Sequence, residues 1–170
     1  MNTVQRRNKI TEILEEEPIA ISGSQLASML GVSRQVIVQD IAVLRAAGVD
    51  IIATPQGYML NRLEKGGFRK TIVSKHEKEH IRDELITIVD EGGTVIDVIV
   101  EHSIYGQICG NIMVSSRRDV DDFIDKICKE DVKPLCDLTG GIHLHTIECK
   151  NEEVMARIEE KLFQKGYLIR

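Results

Sequence analysis

The sequence predicts an α+β protein of two domains, in which two helices and a β-hairpin come first and a small mixed domain follows. Three observations support this. Between Ser22 and Leu60, apolar residues recur first at helical and then at strand spacing. The same alternation of periods returns several times after Thr71. The 170 residues also leave about 105 for a second compact domain.

Start and stop signals define the two helices of the first domain. Ser22 and Gln25 have the spacing of a capping box, which begins a helix, and Gly31 is placed to end it sharply. Ser33 then caps a second helix. One face of this helix is apolar and is expected to be buried; its residues are Ile37, Ile41 and Leu44.

A hairpin follows the second helix and completes a winged helix-turn-helix over residues 1–63. Ile51 to Thr54 and Tyr58 to Leu60 predict short strands around the turn Pro55-Gln56-Gly57. The stretch resembles the DNA-binding domain of the bacterial biotin repressor, a likeness that covers roughly residues 1 to 61. The alternative is a helical domain that packs against something other than nucleic acid.

The exposed side chains in the first turns of the second helix are the expected DNA contacts. A recognition helix points these residues at base edges in the major groove, where Arg reads guanine and Gln reads adenine. The candidate residues are Ser33, Arg34, Gln35, Val38 and Gln39.

Charge gives only weak support for DNA binding. Residues 1–63 contain six Lys/Arg and six Asp/Glu, so the net charge of −5 falls on the remainder of the chain. Because non-specific affinity depends on neutralised phosphates, this balance favours specific binding of double-stranded operator DNA by a dimer. We expect one local basic patch, formed by Arg6, Arg7, Lys9 and Arg34.

The sequence predicts a cytoplasmic protein. The polar segment from Met1 to Lys9 does not resemble a signal peptide, and no stretch is long enough to span a membrane. The cysteines form no Cys-x-x-Cys pair, so we expect reduced, small core residues. They are Cys109, Cys128, Cys136 and Cys149.

The second domain is predicted over residues 71–170, after a boundary between Asn61 and Thr71 where charge and paired glycines break the periodicity. Helices and strands alternate there, which predicts a small sheet with helices on it. The expected elements are a helix from about Glu77 to Glu91, antiparallel strands Thr94 to Glu101 and Ile108 to Val114, a helix near Val120 to Lys129, a strand Ile142 to Cys149, and a closing helix capped by Asn151.

All five histidines lie in the second domain, and four of them, together with Glu84, have metal-ligand spacing. His143 and His145 share one face of a predicted strand. His76, His80 and Glu84 recur every fourth residue along one side of the predicted helix. A helix histidine, Glu84 and the strand pair would form a nitrogen-rich site for zinc, nickel, iron or manganese. The alternative for the strand pair is a solvated surface.

The segment from His76 to His80 also fits the His-Glu-x-x-His pattern of metalloproteases, with Glu77 as general base. We set this alternative aside for two reasons. Its residues are typical of the solvent-exposed first turn of a surface helix, whereas the protease motif lies on a helix that lines a cleft. A fused DNA-binding domain is also not expected on a protease.

Four segments carry a resemblance to a known family. They are His76 to Leu85, Val100 to Gly106, Ser115 to Val120, and His143-Leu144-His145. Over essentially its whole length, the chain is similar to the niacin-responsive transcriptional repressors of bacteria, which join a winged helix to a three-histidine (3H) domain.

The resemblance implies repression of genes for NAD synthesis and niacin uptake, with nicotinic acid as co-repressor. It also implies a divalent metal held by His76, Glu84, His143 and His145. Two features depart from the family pattern. His80 is an additional histidine that could compete for the metal, and Ser103 stands where the family usually has proline.

The effector's binding residues are less sharply indicated. A pyridine carboxylate can fill the open positions of a six-coordinate ion. Arg117 or Arg118 could pair with its carboxylate, although both also read as a solvated helix start. His102 and Tyr105 are expected to border the pocket, with a hydrogen-bonded turn as the alternative for His102.

A homodimer would let the effector change the spacing of two recognition helices. A metal-sensing regulator without a niacin effector is the second functional hypothesis, and a metalloenzyme is the third.

Overall fold

The computed structural model describes residues 1–61, 67–130 and 132–170. The chain forms two compact units, residues 1–63 and 64–170. Most of the predicted boundary, Arg62 to Gly66, lies outside the described residues. Helices and strands are mixed in both units, so the predicted α+β class is confirmed.

The first unit contains three helices and a hairpin. Its helices begin at side-chain caps provided by Asn2, Ser22 and Ser33, and the first two caps are complete capping boxes. Isoleucines and leucines from all three helices form its core. The elements are α1 (Thr3–Glu16), α2 (Gly23–Leu30), α3 (Arg34–Ala46), β1 (Ile51–Thr54) and β2 (Gly57–Leu60).

Backbone hydrogen bonds connect the hairpin to the segment just ahead of α2. β1 and β2 pair antiparallel, and Tyr58 also exchanges backbone hydrogen bonds of 2.8 and 2.9 Å with Ile21. Gly57 makes this approach possible, because its φ is +144° and a Cβ there would collide with the Ile21 carbonyl. The predicted wing is therefore present and is anchored just ahead of α2.

The second unit is an antiparallel sheet with helices on one face. The strand order is β5-β4-β6-β3-β7. The elements are β3 (Phe68–Lys75), a 3₁₀ segment (Lys78–His80), α4 (Ile81–Asp90), β4 (Thr94–His102), β5 (Gly106–Val114), α5 (Arg117–Glu130), a 3₁₀ segment (Leu135–Thr139), β6 (Ile142–Cys149), α6 (Glu152–Gln164) and β7 (Leu168–Ile169). Side chains from α4, α5 and α6 form one core with alternate residues of the sheet, including Ile72, Val95 and Ile147.

Two local predictions were wrong. Residues Phe68–Lys75 form a strand that the sequence analysis did not predict, and the following α-helix begins at Ile81 instead of near Glu77. β3 has few apolar residues because one of its faces is open, so a run of charged residues concealed it. The predicted β4–β5 pair, the β6 strand and the closing helix capped by Asn151 are present.

The burial of the cysteines also differs from the expectation. All four are free, but only Cys136 and Cys149 are buried, whereas Cys109 and Cys128 are exposed. Among the described residues, no single helix is long and apolar enough to cross a membrane. α2 and α3 together have sufficient length and apolar content, but they meet at a bend of 103°.

Candidate functional site

Four predicted site residues meet inside the second unit. His76 follows β3, Glu84 lies in the first turn of α4, and His143 and His145 lie on β6. β3 and β6 pair with Ser74 opposite His143 and with Ile72 opposite His145. This register places the end of β3 beside both strand histidines, on the face that α4 covers. All four side chains are buried.

The four side chains converge on one carboxylate oxygen. The Nε2 atoms of His76, His143 and His145 lie 2.6, 3.3 and 3.3 Å from Oε2 of Glu84. The other carboxylate oxygen of Glu84, Oε1, is buried and has no hydrogen-bond partner among the described residues. A buried carboxylate surrounded by imidazole nitrogens, with one oxygen left over, offers the kinds of donor atom that metal sites use.

Backbone carbonyls fix the opposite nitrogen of each imidazole ring. The Nδ1 atoms of His76, His143 and His145 lie 2.8, 2.9 and 2.7 Å from the carbonyl oxygens of Glu77, Gly141 and Asp97 respectively. Because a carbonyl can only accept, each Nδ1 carries a proton, and each ring therefore presents its Nε2 to the cluster. Such outer contacts set the tautomer of metal-binding histidines.

The pKa shifts follow from this arrangement. Burial would raise the pKa of Glu84, but the charge of His145 and hydrogen bonds from all three rings hold it well below its usual range. Burial would lower the pKa of His76 and of His145, yet their contacts with Glu84 raise both. The imidazole rings around Glu84 therefore stabilise its ionised form.

The arrangement can hold a divalent metal ion. The ligand atoms of His76, Glu84 and His143 all lie within 4.8 Å of one another, and His145 adds a third nitrogen at the same carboxylate. Three nitrogens and a carboxylate suit zinc, nickel, iron or manganese, so the donor set does not select one of them.

His80 does not join the cluster. It is exposed, and its Nδ1 lies 3.2 Å from the hydroxyl of Tyr167. Because β3 ends at Lys75 and the α-helix begins at Ile81, His76 and His80 do not share a helix side as predicted. Tyr167 was not identified from the sequence; its hydroxyl donates to Asp83 at 2.8 Å, and its ring lies 5.2 Å from that of His76.

One cavity lies beside the cluster and a second shares part of its lining; neither was predicted. One of about 430 Å³ is bordered by Glu77 and Gly141, whose carbonyls hold His76 and His143. The other, of about 520 Å³, is more apolar and includes Ile81, Ile124 and Ile127. Both are lined by Lys78, Glu79, Lys133 and Asp137.

The predicted effector-binding residues lie elsewhere, and none of the four lines either of these cavities. Arg117 makes two hydrogen bonds, of 2.7 and 2.5 Å, to the carboxylate of Asp90, and Arg118 is exposed. His102 accepts from the backbone N–H groups of Ile104 and Tyr105, which is the turn alternative. Tyr105 is 76% exposed. Their role in binding an effector stays a prediction.

The predicted DNA-contacting residues are all exposed on α3 or at its cap. They are Ser33, Arg34, Gln35, Val38 and Gln39. Ile37, Ile41 and Leu44 form the buried face of the helix, as predicted. The predicted amphipathic division of α3 is therefore confirmed.

The predicted basic patch is largely neutralised. Arg6 and Arg7 both donate to Asp40 of α3, at 2.6 and 2.9 Å, and Asp40 is 1% exposed. Lys9 pairs with Glu12 at 2.8 Å. Two of the four cations thus attach α1 to the recognition helix, a role that a count of charges does not reveal. Burial would raise the pKa of Asp40, but the two arginines hold it below its usual value.

A winged helix-turn-helix with an exposed recognition helix, joined to a unit with a buried histidine cluster, defines a DNA-binding transcription regulator. Comparison with known proteins gives the family. An HTH domain model matches residues 6–59, and a 3H domain model matches residues 69–170.

Two relatives are similar over nearly the whole chain. The probable transcription repressor NiaR of Thermotoga maritima is 48% identical over 99% of this chain and 97% of its own length. The transcription repressor NadR of Bacillus subtilis is 39% identical over 97% of this chain and 93% of its own length. The chain belongs to the NiaR-type family of transcription repressors, and it is a DNA-binding protein and not an enzyme.

Proposed function

We propose that the protein is a homodimeric repressor of genes for NAD synthesis and niacin uptake. It acts on DNA in the cytoplasm, with nicotinic acid as co-repressor. The family and the names of the relatives support the repressor function. The niacin effector rests on the resemblance of the whole chain to niacin-responsive repressors. Operator binding tightens when nicotinic acid binds at or near a divalent metal in the second unit.

The convergence of three imidazole nitrogens on Glu84 is the observation that carries the metal part of this proposal. His76, Glu84, His143 and His145 are the proposed ligands. The carbonyls of Glu77, Gly141 and Asp97 keep the three rings in the tautomer that a metal requires. A bound ion would supply a fixed positive charge close to the effector.

The cavity of about 430 Å³ is the proposed position of the effector, in place of the residues predicted from the sequence. Lys78 and Lys133 line it, and neither has an ion-pair partner among the residues that the structure describes. An ammonium group attracts a carboxylate such as that of nicotinic acid. A ligand here touches Glu77 and Gly141, and through them the rings of His76 and His143.

The dimer supplies the link from effector to DNA. Two recognition helices bind two half-sites only if they are spaced by about 34 Å or a multiple of it. An effector that binds more tightly to the dimer with this spacing than to the dimer with another spacing increases the affinity for DNA. The size of the increase is set by the difference between its affinities for the two states of the dimer. A coupling of about 1–3 kcal/mol is sufficient.

A metal-sensing repressor without a niacin effector is the second candidate. The observation in its favour is that the cluster contains four potential ligands, so an ion can bind there without the effector. In that case DNA affinity depends on the metal and not on nicotinic acid.

Fluorescence anisotropy with a labelled operator fragment at fixed salt tests the proposal. We expect metal-loaded protein to bind tightly with nicotinic acid and weakly without it. Nicotinamide, which lacks the carboxylate, is the matched control. Binding that ignores nicotinic acid but is lost with a chelator would establish the metal sensor instead. Specific binding that depends on neither would exclude both candidates.

A further inference from the structure

The sheet of the second unit has a face that its helices do not cover. Ile72 and Ile147 point into the core with the helices, so their strand neighbours point the opposite way. On that opposite face, five apolar residues are cross-strand neighbours in one continuous row across all five strands. In strand order they are Cys109, Ile99, Leu144, Val73 and Ile169.

This row, the apolar stripe, takes no part in the core. None of its five residues belongs to the core cluster or packs against it. Cys109 and Ile169 are exposed, and the central three are half-buried. Isolated apolar residues on a surface need no explanation, but a continuous row across a whole sheet indicates an interaction site.

We propose that the apolar stripe is the contact surface between two copies of this chain, an inference that rests on the proposed dimeric repressor. β6 is the middle strand of the sheet. A two-fold axis parallel to β6, between two stacked sheets, places Leu144 against Leu144 of the second copy. The same axis places Val73 against Ile99, and Ile169 against Cys109. The stripe is thus complementary to itself, as a two-fold interface requires.

Charges beside the stripe fit the same axis. Lys75 lies opposite Ile142 in the register, two residues beyond Val73, and Glu101 lies two residues beyond Ile99 on β4. Both charged residues are exposed, and neither has an ion-pair partner among the residues described. The two-fold rotation brings Lys75 of each copy to Glu101 of the other. Two symmetric ion pairs therefore favour this orientation over others.

The area of the face is sufficient for a specific contact. Four long strands about 4.8 Å apart, each about 26 Å long, give a face of about 500 Å² per copy. Stacking two faces buries about 1,000 Å² in total, which is the lower limit for a specific interface. The contact is therefore expected to be reversible and concentration-dependent. A second copy also supplies the second recognition helix.

Sedimentation equilibrium of the full-length chain tests the surface. We expect wild type to have twice the mass of the 19.1 kDa chain. Leu144→Glu places two like charges at the axis and should give a single-chain mass at the same concentration. The matched control is Phe163→Glu, which changes an exposed apolar residue of α6 and should stay dimeric.

Exchanging the charges of Lys75 and Glu101 distinguishes loss of the dimer contact from misfolding of the chain. Lys75→Glu and Glu101→Lys should each weaken dimerisation by roughly tenfold, and the double variant should restore it. A dimer that persists in Leu144→Glu would overturn the proposed surface and leave the dimeric repressor intact. The surface is equally excluded if Leu144→Glu only lowers the melting temperature, because the stripe would then be covered by the chain itself. A monomeric wild type would overturn both the surface and the dimer, whereas loss of the nicotinic acid response alone would not affect the surface.

Discussion

The Nε2 atom of His76 lies 2.6 Å from Oε2 of Glu84, although one residue follows a strand and the other lies in a helix. A 3₁₀ segment between the strand and the helix turns the chain so that the two side chains meet. His143 and His145 then reach the same oxygen from a neighbouring strand. Because three separate elements form the cluster, a metal ion bound there would stabilise the folded state of this unit.

Replacing His76 and His80 separately distinguishes the two candidate histidine ligands. We expect His76→Ala to lower metal affinity by about 100-fold or more, because it removes a converging nitrogen. His80→Ala is the matched control and should retain the metal, since His80 faces Tyr167 and solvent. Bound metal per chain is counted by mass spectrometry after dialysis. Full retention in both variants would remove His76 from the proposed site.

The paired glycines before β6 provide a test of the outer contacts. Gly141 has a φ of +90°, and a Cβ there would lie 2.5 Å from the carbonyl oxygen of His76. Gly140 has a φ of +62° with nothing within 4 Å of a Cβ. Both alanine variants should lose about 1 kcal/mol of stability from left-handed backbone strain, and Gly141→Ala should lose more because its Cβ would clash with the His76 carbonyl. Only Gly141→Ala should also weaken metal binding, by about 10- to 100-fold.

Titration calorimetry with the metal compares the two glycine variants directly. Equal metal affinities in Gly140→Ala and Gly141→Ala would show that the position of His76 does not depend on this close approach.

Asp40 is predicted to stabilise the first unit through Arg6 and Arg7. Asp40→Asn should lower the free energy of unfolding by about 2–3 kcal/mol at pH 7, because two charge-assisted hydrogen bonds to a buried carboxylate are weakened. The pKa of Asp40 is lowered from 3.8 in the folded state. The stabilisation is therefore present above about pH 3.8 and is lost as the pH falls through the lower folded value.

Urea unfolding of wild type and Asp40→Asn at several pH values measures this contribution. The difference between the two proteins should narrow below about pH 3.8. A difference that is the same at pH 7 and at pH 3 would contradict a role for the ionised carboxylate.

The recognition helix gives a prediction for DNA affinity. Arg34→Ala and Gln35→Ala should each cost about 1–3 kcal/mol of operator binding and relax the preference for particular bases. Arg157→Ala removes an equally charged, exposed residue from the second unit and is the matched control. Anisotropy titrations with operator and scrambled DNA make the comparison. Equal losses on both DNAs would assign Arg34 to phosphate contact.

Local signals were sufficient to predict most of the first unit. Caps at Ser22 and Ser33, a stop at Gly31 and the turn before Gly57 act over a few residues, and the structure contains each of them. The attachment of Arg6 and Arg7 to Asp40 joins residues more than thirty positions apart. No local pattern indicates such a contact, so the sequence suggested a free basic patch instead.

In the second unit, local sequence patterns placed some of the site residues on the right elements but missed one strand. His143 and His145 were placed correctly because strand alternation is local, and Glu84 was placed on a helix for the same reason. β3 was missed because its open face bears Arg69, Thr71 and Lys75, so it lacks an apolar run. Without β3, the spacing of His76, His80 and Glu84 was interpreted as one helix.

The outer contacts of the cluster have no sequence signature. The carbonyls of Glu77, Asp97 and Gly141 hold the three rings, and any residue type offers a carbonyl. Only the folded backbone decides which carbonyl faces which histidine. The four residues that the resemblance implied as ligands meet in the structure, and their role as metal ligands stays a prediction.

The most direct test titrates nicotinic acid against operator affinity for wild type and Glu84→Gln, both after equilibration with the same metal. We expect wild-type affinity to rise by roughly 5- to 150-fold with nicotinic acid. Glu84→Gln keeps the size of the side chain but removes the charge on which three histidines converge, so its affinity should stay constant. An equal response in both proteins would contradict the claim that this cluster links the effector to DNA.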